Sequence, residues 1–150
     1  MYSYIKQFDQ YSYEIAPKGF PYESNIEIYE GDEISITLRG INLGQNKDPY
    51  NFDQYNSFSA CFSVGPESET YCASDNNFLL GQSQDAINYD QNQGNPAGTT
   101  KDELHFVDTN YSILSDYPYH EAILDIEGKL NDSIYTFMRF DVNIKQEITK

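Results

Sequence analysis

The sequence predicts an all-β sandwich of about seven to eight short strands, and three observations predict it. Apolar and polar residues alternate with a period of two in segment after segment, the mark of strands buried on one face. Aromatic residues make up 15% of the 150 residues, with 14 Tyr, 9 Phe and no Trp, which supplies the β-favouring bulk such strands need. Helical periodicity is scarce, and Gly, Pro, Asn and Asp punctuate the chain at short intervals. Two sheets burying their inner faces against each other satisfy this pattern, with a small barrel as the alternative.

Residues 11–15 alternate cleanly before Pro17, Lys18 and Gly19 interrupt them. Ile26 and Ile28 then lead through Gly31 and Asp32 into Ile34, Ile36 and Leu38, which predicts two strands around a tight turn. A polar stretch, 44–56, precedes Phe58, Ala60, Phe62 and Val64. Turn chemistry at 65–68 and a returning strand at 70–74 complete a hairpin. Residues 81–103, dominated by Gln, Asn, Asp and Gly, predict a long loop, and loops of that length are functional or disordered. Strands follow at 104–107, 111–114 and 122–126. The last strand puts Ile134, Thr136, Met138, Phe140, Val142 and Ile144 on its inner face. Tyr135, Phe137, Arg139, Asp141, Asn143 and Lys145 take the other face, and Glu127-Gly128-Lys129 with Asn131-Asp132 form the preceding turn. No internal repeat is visible. The length suits one domain, with residues 1–20 as an N-terminal arm or extra strand and 21–150 as the sandwich.

The 24 acidic residues against 9 basic ones give a net charge of −15, which repels phosphate backbones and anionic lipid surfaces. Neither nucleic acid nor membrane is an expected partner. No apolar run approaches the ~18 residues of a membrane-spanning helix. Lys6, Asp9 and Glu14 interrupt the first twenty residues, so no signal peptide is expected.

Symmetry about Pro66-Glu67 places Cys61 opposite Cys72 on the face away from Phe62, as a disulfide requires. Synthesis in a cytoplasm predicts two thiols that bond on meeting an oxidising environment. The cysteines have no neighbouring His with which to build a copper site, and His105 and His120 read as ordinary strand-end or surface residues. No G-x-S-x-G, H-E-x-x-H or P-loop occurs, so neither an enzyme nor a cofactor is expected. Residues 48–53 and 85–95 cluster oxygen ligands, yet 90–94 departs from an EF-hand loop. Tyr50, Phe52, Tyr55, Tyr89, Tyr117 and Tyr119 lie in or beside loops, where tyrosine suits protein or sugar recognition. The partner-binding candidates are Tyr2, Tyr4, Lys6, Phe8, Tyr11, Tyr50, Tyr89 and Tyr117.

Several stretches resemble one another family's pattern. Residues 26–38 look like an opening strand, glycine-polar turn and second strand. Asp108-Thr109-Asn110-Tyr111-Ser112-Ile113-Leu114 is similar to a D-T-x-x-L stretch, and residues 119–124 and 140–149 to two closing strands. Together they resemble the small immunoglobulin-like β-sandwich proteins of tailed bacteriophage particles, including the N-terminal domain of baseplate upper proteins. The resemblance implies an immunoglobulin-like antiparallel sandwich and a non-enzymatic virion protein. Such a protein is made in the host cytoplasm and docks on capsid or tail proteins as a decoration or accessory subunit, with self-association possible. Residues 1–20 would anchor it while acidic loops face solvent. The rival readings are a carbohydrate- or receptor-binding module using loop tyrosines, and an acidic DNA mimic, which needs carboxylates in rows on one surface.

Overall fold

The computed structural model describes residues 3–8, 22–29, 33–41, 48–64, 70–73, 75–108 and 120–145. The strands are β1 (Ser3–Phe8), β2 (Tyr22–Tyr29), β3 (Glu33–Arg39), β4 (Ser57–Ser63), β5 (Tyr71–Ala73), β6 (Phe78–Gly81), β7 (Glu103–Asp108), β8 (Glu121–Leu130) and β9 (Ser133–Lys145). Helix α1 (Gln84–Gln93) stands between β6 and β7. The strands expected at 11–15 and 111–114 lie outside the described residues.

One sheet runs β1-β3-β7-β6 and the other β2-β9-β8-β4-β5. Immunoglobulin-like sandwiches place strands A, B, E and D in one sheet and C, F and G in the other. In chain order, β1, β3, β7 and β6 occupy the first set of places and β4, β8 and β9 the second, with β5 as a C′ strand and β2 added against the last strand. The chain is an immunoglobulin-like β-sandwich. It is not wholly antiparallel, because β1 runs parallel to β3 and β2 parallel to β9. Ile34, Ile36, Leu104 and Phe106 from one sheet meet Phe62, Leu124, Ile126 and Phe140 from the other, all at most 1% exposed. Aliphatic and phenyl packing thus fills the centre that antibody domains build from Trp and an inter-sheet disulfide.

Residues 26–38 do not form a strand pair. β2 and β3 belong to different sheets, although Ile28, Ile34, Ile36 and Leu38 all point inward as the alternation predicts. A period of two says which face is buried but not which strand is the neighbour.

The β8–β9 hairpin departs from expectation in a second way. Residues 127–129 are strand rather than turn, and Asn131, with φ 55°, makes the reversal. Ile126 pairs with Met138 and Glu127 with Thr136, so Phe137 is the extra residue of a β-bulge. The bulge switches faces. Beyond it Met138, Phe140, Val142 and Ile144 point inward as expected, but before it Ile134 is 63% exposed while Phe137 is fully buried. Gly128 accommodates that phenyl ring, since a Cβ there would sit 2.4 Å from Phe137 Cζ.

In the β4–β5 hairpin Cys61 pairs with Cys72 and their sulfurs are bonded, with the Cα atoms 4.1 Å apart. Phe62 faces the core, while Cys72 is exposed. The bond closes a sequence separation of 11 residues and ties a three-residue edge strand to its neighbour. Replacing both cysteines by serine is expected to cost ~3 kcal/mol on chain-entropy grounds, read as a lower denaturant midpoint, with the amides of β5 losing exchange protection first.

Candidate functional site

The connections after β3, β6 and β8 meet at one end of the sandwich and are knitted together by hydrogen bonds. Between β3 and β4, Tyr50 N–H donates to Gly40 O at 2.9 Å, and Phe52 opens a 3-10 turn, Phe52–Gln54. That turn is sewn to the start of β7. Phe52 N–H donates to Lys101 O at 2.8 Å, Lys101 N–H to Asn51 Oδ1 at 2.9 Å, and Gly40 N–H to Asp102 O at 2.7 Å. On the other side Asn56 N–H donates to Lys129 O, and Asn131 N–H to Asn56 Oδ1, both at 2.7 Å.

Helix α1 occupies the segment expected to be a long loop. Its start is fixed by Ser83, whose Oγ accepts from Ala86 N–H at 3.3 Å. Its end is a Schellman closure. Gly94 takes φ 71°, Asn95 N–H donates to Asp90 O at 2.9 Å, and Gly94 N–H donates to Gln91 O at 3.2 Å. Only Ala86 and Asp90 of the helix are buried, so no apolar stripe announces it.

A polar network takes the place of that stripe. Asp90 accepts from Thr100 N–H at 3.0 Å, Thr100 Oγ1 at 2.7 Å, Gln82 Nε2 at 2.8 Å and Asn95 Nδ2 at 3.2 Å. Burial raises the Asp90 pKa, but the Thr100 backbone and hydroxyl, Asn95 and Gln82 together outweigh it and hold the carboxyl down at about 2. Asp102 is also buried. It accepts from Ser83 N–H at 2.7 Å and from the Ser83 hydroxyl, and Arg39 Nε lies 3.7 Å from it. Arg39 reaches on to Asp85 at the first turn of the helix. These charges position chain.

The partner-binding candidates separate accordingly. Tyr50 is not a surface residue: it is 4% exposed, stacks edge-on against Phe52 at 5.3 Å and hydrogen-bonds to Tyr55. Burial, then the hydrogen bond and charge of Tyr55, push its phenol well above the ordinary range. The stretch before it, residues 45–48, is polar, but the ring completes the core under the loops. Tyr89 is half-buried on α1. The backbone of Tyr4, Lys6 and Phe8 lies in β1 opposite Ile34, Ile36 and Leu38, while Tyr2, Tyr11 and Tyr117 lie outside the described residues.

The outer face of the five-stranded sheet carries Glu27, Glu121, Asp125, Glu127 and Asp141, but basic groups sit among them. Arg139 holds Asp125 through two bonds of 2.6 and 3.0 Å, and Lys145 Nζ lies 4.0 Å from Glu27. Arg139 is raised by the Asp125 hydrogen bond, and Glu127 is raised by burial and then by the charge of Asp125. This interspersion is unlike the carboxylate rows of a DNA mimic. A concavity of about 590 Å³ at the opposite end is lined by Val64, His120, Glu121, Ile123, Asp141 and Asn143. Among the described residues no three His, Cys, Asp or Glu side chains come together to hold a metal. Residues 85–95 are mostly helix, with Asp85 on Arg39 and Asp90 turned inward. His105 Nδ1 lies 2.8 Å from Thr37 Oγ1. No described helix is long and apolar enough to cross a membrane.

No protein-family model matches the chain, and no curated protein matches it.

Proposed function

We propose that this chain is a non-enzymatic docking protein, an accessory or decoration protein on the head or tail of a bacteriophage particle, which engages its neighbours through the knitted loop end. The observation that carries the docking part is the rigid display of α1. A buried, four-bonded carboxylate holds a ten-residue helix whose exposed side chains are almost all polar. A preorganised polar surface lowers the entropy cost of binding. The particle itself rests on the sequence resemblance across residues 24–149. Quantitative mass spectrometry of density-purified particles tests it. Near-stoichiometric abundance against the major capsid protein supports decoration, a handful of copies supports a tail position, and absence from the particle overturns the proposal.

A carbohydrate- or receptor-binding role is the second reading. Gln84, Asn88 and Gln91 are exposed amides on successive turns of α1, with Tyr89 beside them. Glycan-array binding abolished by Tyr89→Ala would favour this reading over a purely structural one.

A further inference from the structure

We propose that the Cys61–Cys72 bond is a site of thiol–disulfide exchange, opened at Cys72 by a dithiol reductant while the sandwich stays folded, and that its state decides whether the five-stranded sheet ends on β5 or on β4. The bond lies on the outer face of that sheet, where Cys72 is exposed and Cys61 half-buried. Disulfides open to solvent are the readily exchanged ones, because a thiolate has to reach one of the sulfurs. Among the described residues β5 stands at the sheet edge and pairs with β4 alone, Ala73 with Ala60, Cys72 with Cys61 and Tyr71 with Phe62. Of the three β5 residues only Ala73 is buried, and Tyr71 packs partly against the core. So short a strand is held by its crosslink more than by packing.

The exchange moves two electrons from the reductant to the bond. One thiolate of the reductant attacks Cys72 Sγ, the bond between the two cysteines breaks, and Cys61 leaves as a thiolate. The second thiolate of the reductant then attacks its own sulfur in the mixed disulfide, releases Cys72 and closes the reductant into a disulfide. The two protons that the reductant gave up end on Cys61 and Cys72. Cys61 departs beside an ion pair, since its register partner on β8 is Asp125, whose carboxylate takes bonds of 2.6 and 3.0 Å from Arg139. The leaving thiolate therefore meets no uncompensated carboxylate. Once the crosslink is gone, the entropy of the segment it closed, a separation of 11 residues, returns against only three paired residues. β5 then leaves β4, Ala73 comes into solvent, and the backbone at residues 60–62 loses its neighbour on that side. An unpaired edge of this kind is a template for strand addition. The oxidised chain closes it and the reduced chain opens it. The exchange goes beyond docking through the loop end and does not rest on it.

Timed treatment of the full chain with dithiothreitol under native conditions, quenched by alkylation and read by mass spectrometry, tests this, with amide exchange measured on the oxidised, reduced and reoxidised forms. Reduction is expected to be first order in dithiothreitol and insensitive to sub-denaturing urea, as attack on the folded chain requires. Exchange at residues 71–73 is expected to accelerate about a hundredfold on reduction, with β8 and β9 unchanged, and to slow again on reoxidation. Single cysteines locate the point of attack. Cys61→Ser, which leaves Cys72, is expected to react with the neutral disulfide dithiodipyridine about tenfold faster than Cys72→Ser, which leaves Cys61. A reduction rate that saturates with reductant and climbs with urea, so that the bond opens only in unfolded chain, overturns the proposal. A reduced chain whose β5 amides exchange as slowly as before does the same, as does a Cys61 more reactive than Cys72. None of these results bears on the particle-abundance measurement, which reports a different property.

Discussion

Phe137→Ala is expected to destabilise the sandwich by about 3–5 kcal/mol, through loss of a large buried ring and the cavity it leaves. Phe137 is fully buried and stacks edge-on against Phe52 at 5.3 Å and Tyr55 at 4.9 Å, with Phe58 at 6.2 Å. It joins the hairpin of β8 and β9 to the knitted loops, so both parts should loosen together. Chemical denaturation should show a lower midpoint with little change in slope. A coupled test isolates the contact with Gly128. Gly128→Ala alone is expected to cost about 1–3 kcal/mol by overpacking, because its Cβ would meet the ring at 2.4 Å. In the Phe137→Ala background that cost should fall to what Tyr55 Cδ1, 2.9 Å from the same Cβ, still imposes, and simple additivity of the two changes would show that the ring and the glycine do not meet.

Asp90→Ala should produce the largest local effect, the melting of α1 and of residues 94–102 while the two sheets persist. Four donors converge on that carboxylate, and without it Thr100, Gln82 and Asn95 lose their shared acceptor. Amide exchange over residues 84–93 should accelerate by orders of magnitude, with β8 and β9 still protected. The pH dependence follows from a folded-state pKa of about 2 against an ordinary 3.8. A depressed carboxyl favours the folded network wherever the unfolded group would also be ionised. Its contribution is therefore complete above about pH 4 and is lost as the pH falls toward 2. Helical circular dichroism should stay flat down to that range and then decline. Asp90→Asn, which cannot titrate, should abolish this acid limb; an identical limb in the variant would assign it to other carboxylates.

Alternation carried the sequence reading a long way. It identified the inner faces of β3, β4 and the second half of β9, located β7 and β8 as strands, and the symmetry of one hairpin set Cys61 against Cys72. It failed where one residue changes parity. Phe137 bulges, and every side chain before it in β9 lies on the face opposite to the one its pattern implied. It also failed on neighbours, since β2 and β3 look like a hairpin in one dimension and belong to different sheets in three. The loop end was the least legible part. α1 has no apolar stripe, and its visible signals were its caps, Ser83 and Gly94, too sparse to outweigh an Asn- and Gln-rich composition. Asp90 looked like one carboxylate among 24 acids, and only the donors around it, brought in from residues 82, 95 and 100, distinguish it.

The attachment of α1 through Ala86, Asp90 and its caps leaves the outward positions Gln84, Asn88, Gln91, Asn92 and Gln93 with no part in the core. What the helix shows to its surroundings can drift while the scaffold stays still, so variants of this chain would be able to share every buried residue and carry different specificities. The same separation makes the helix a place to graft a foreign recognition motif, provided that Ser83, Asp90, Gly94 and Thr100 are kept.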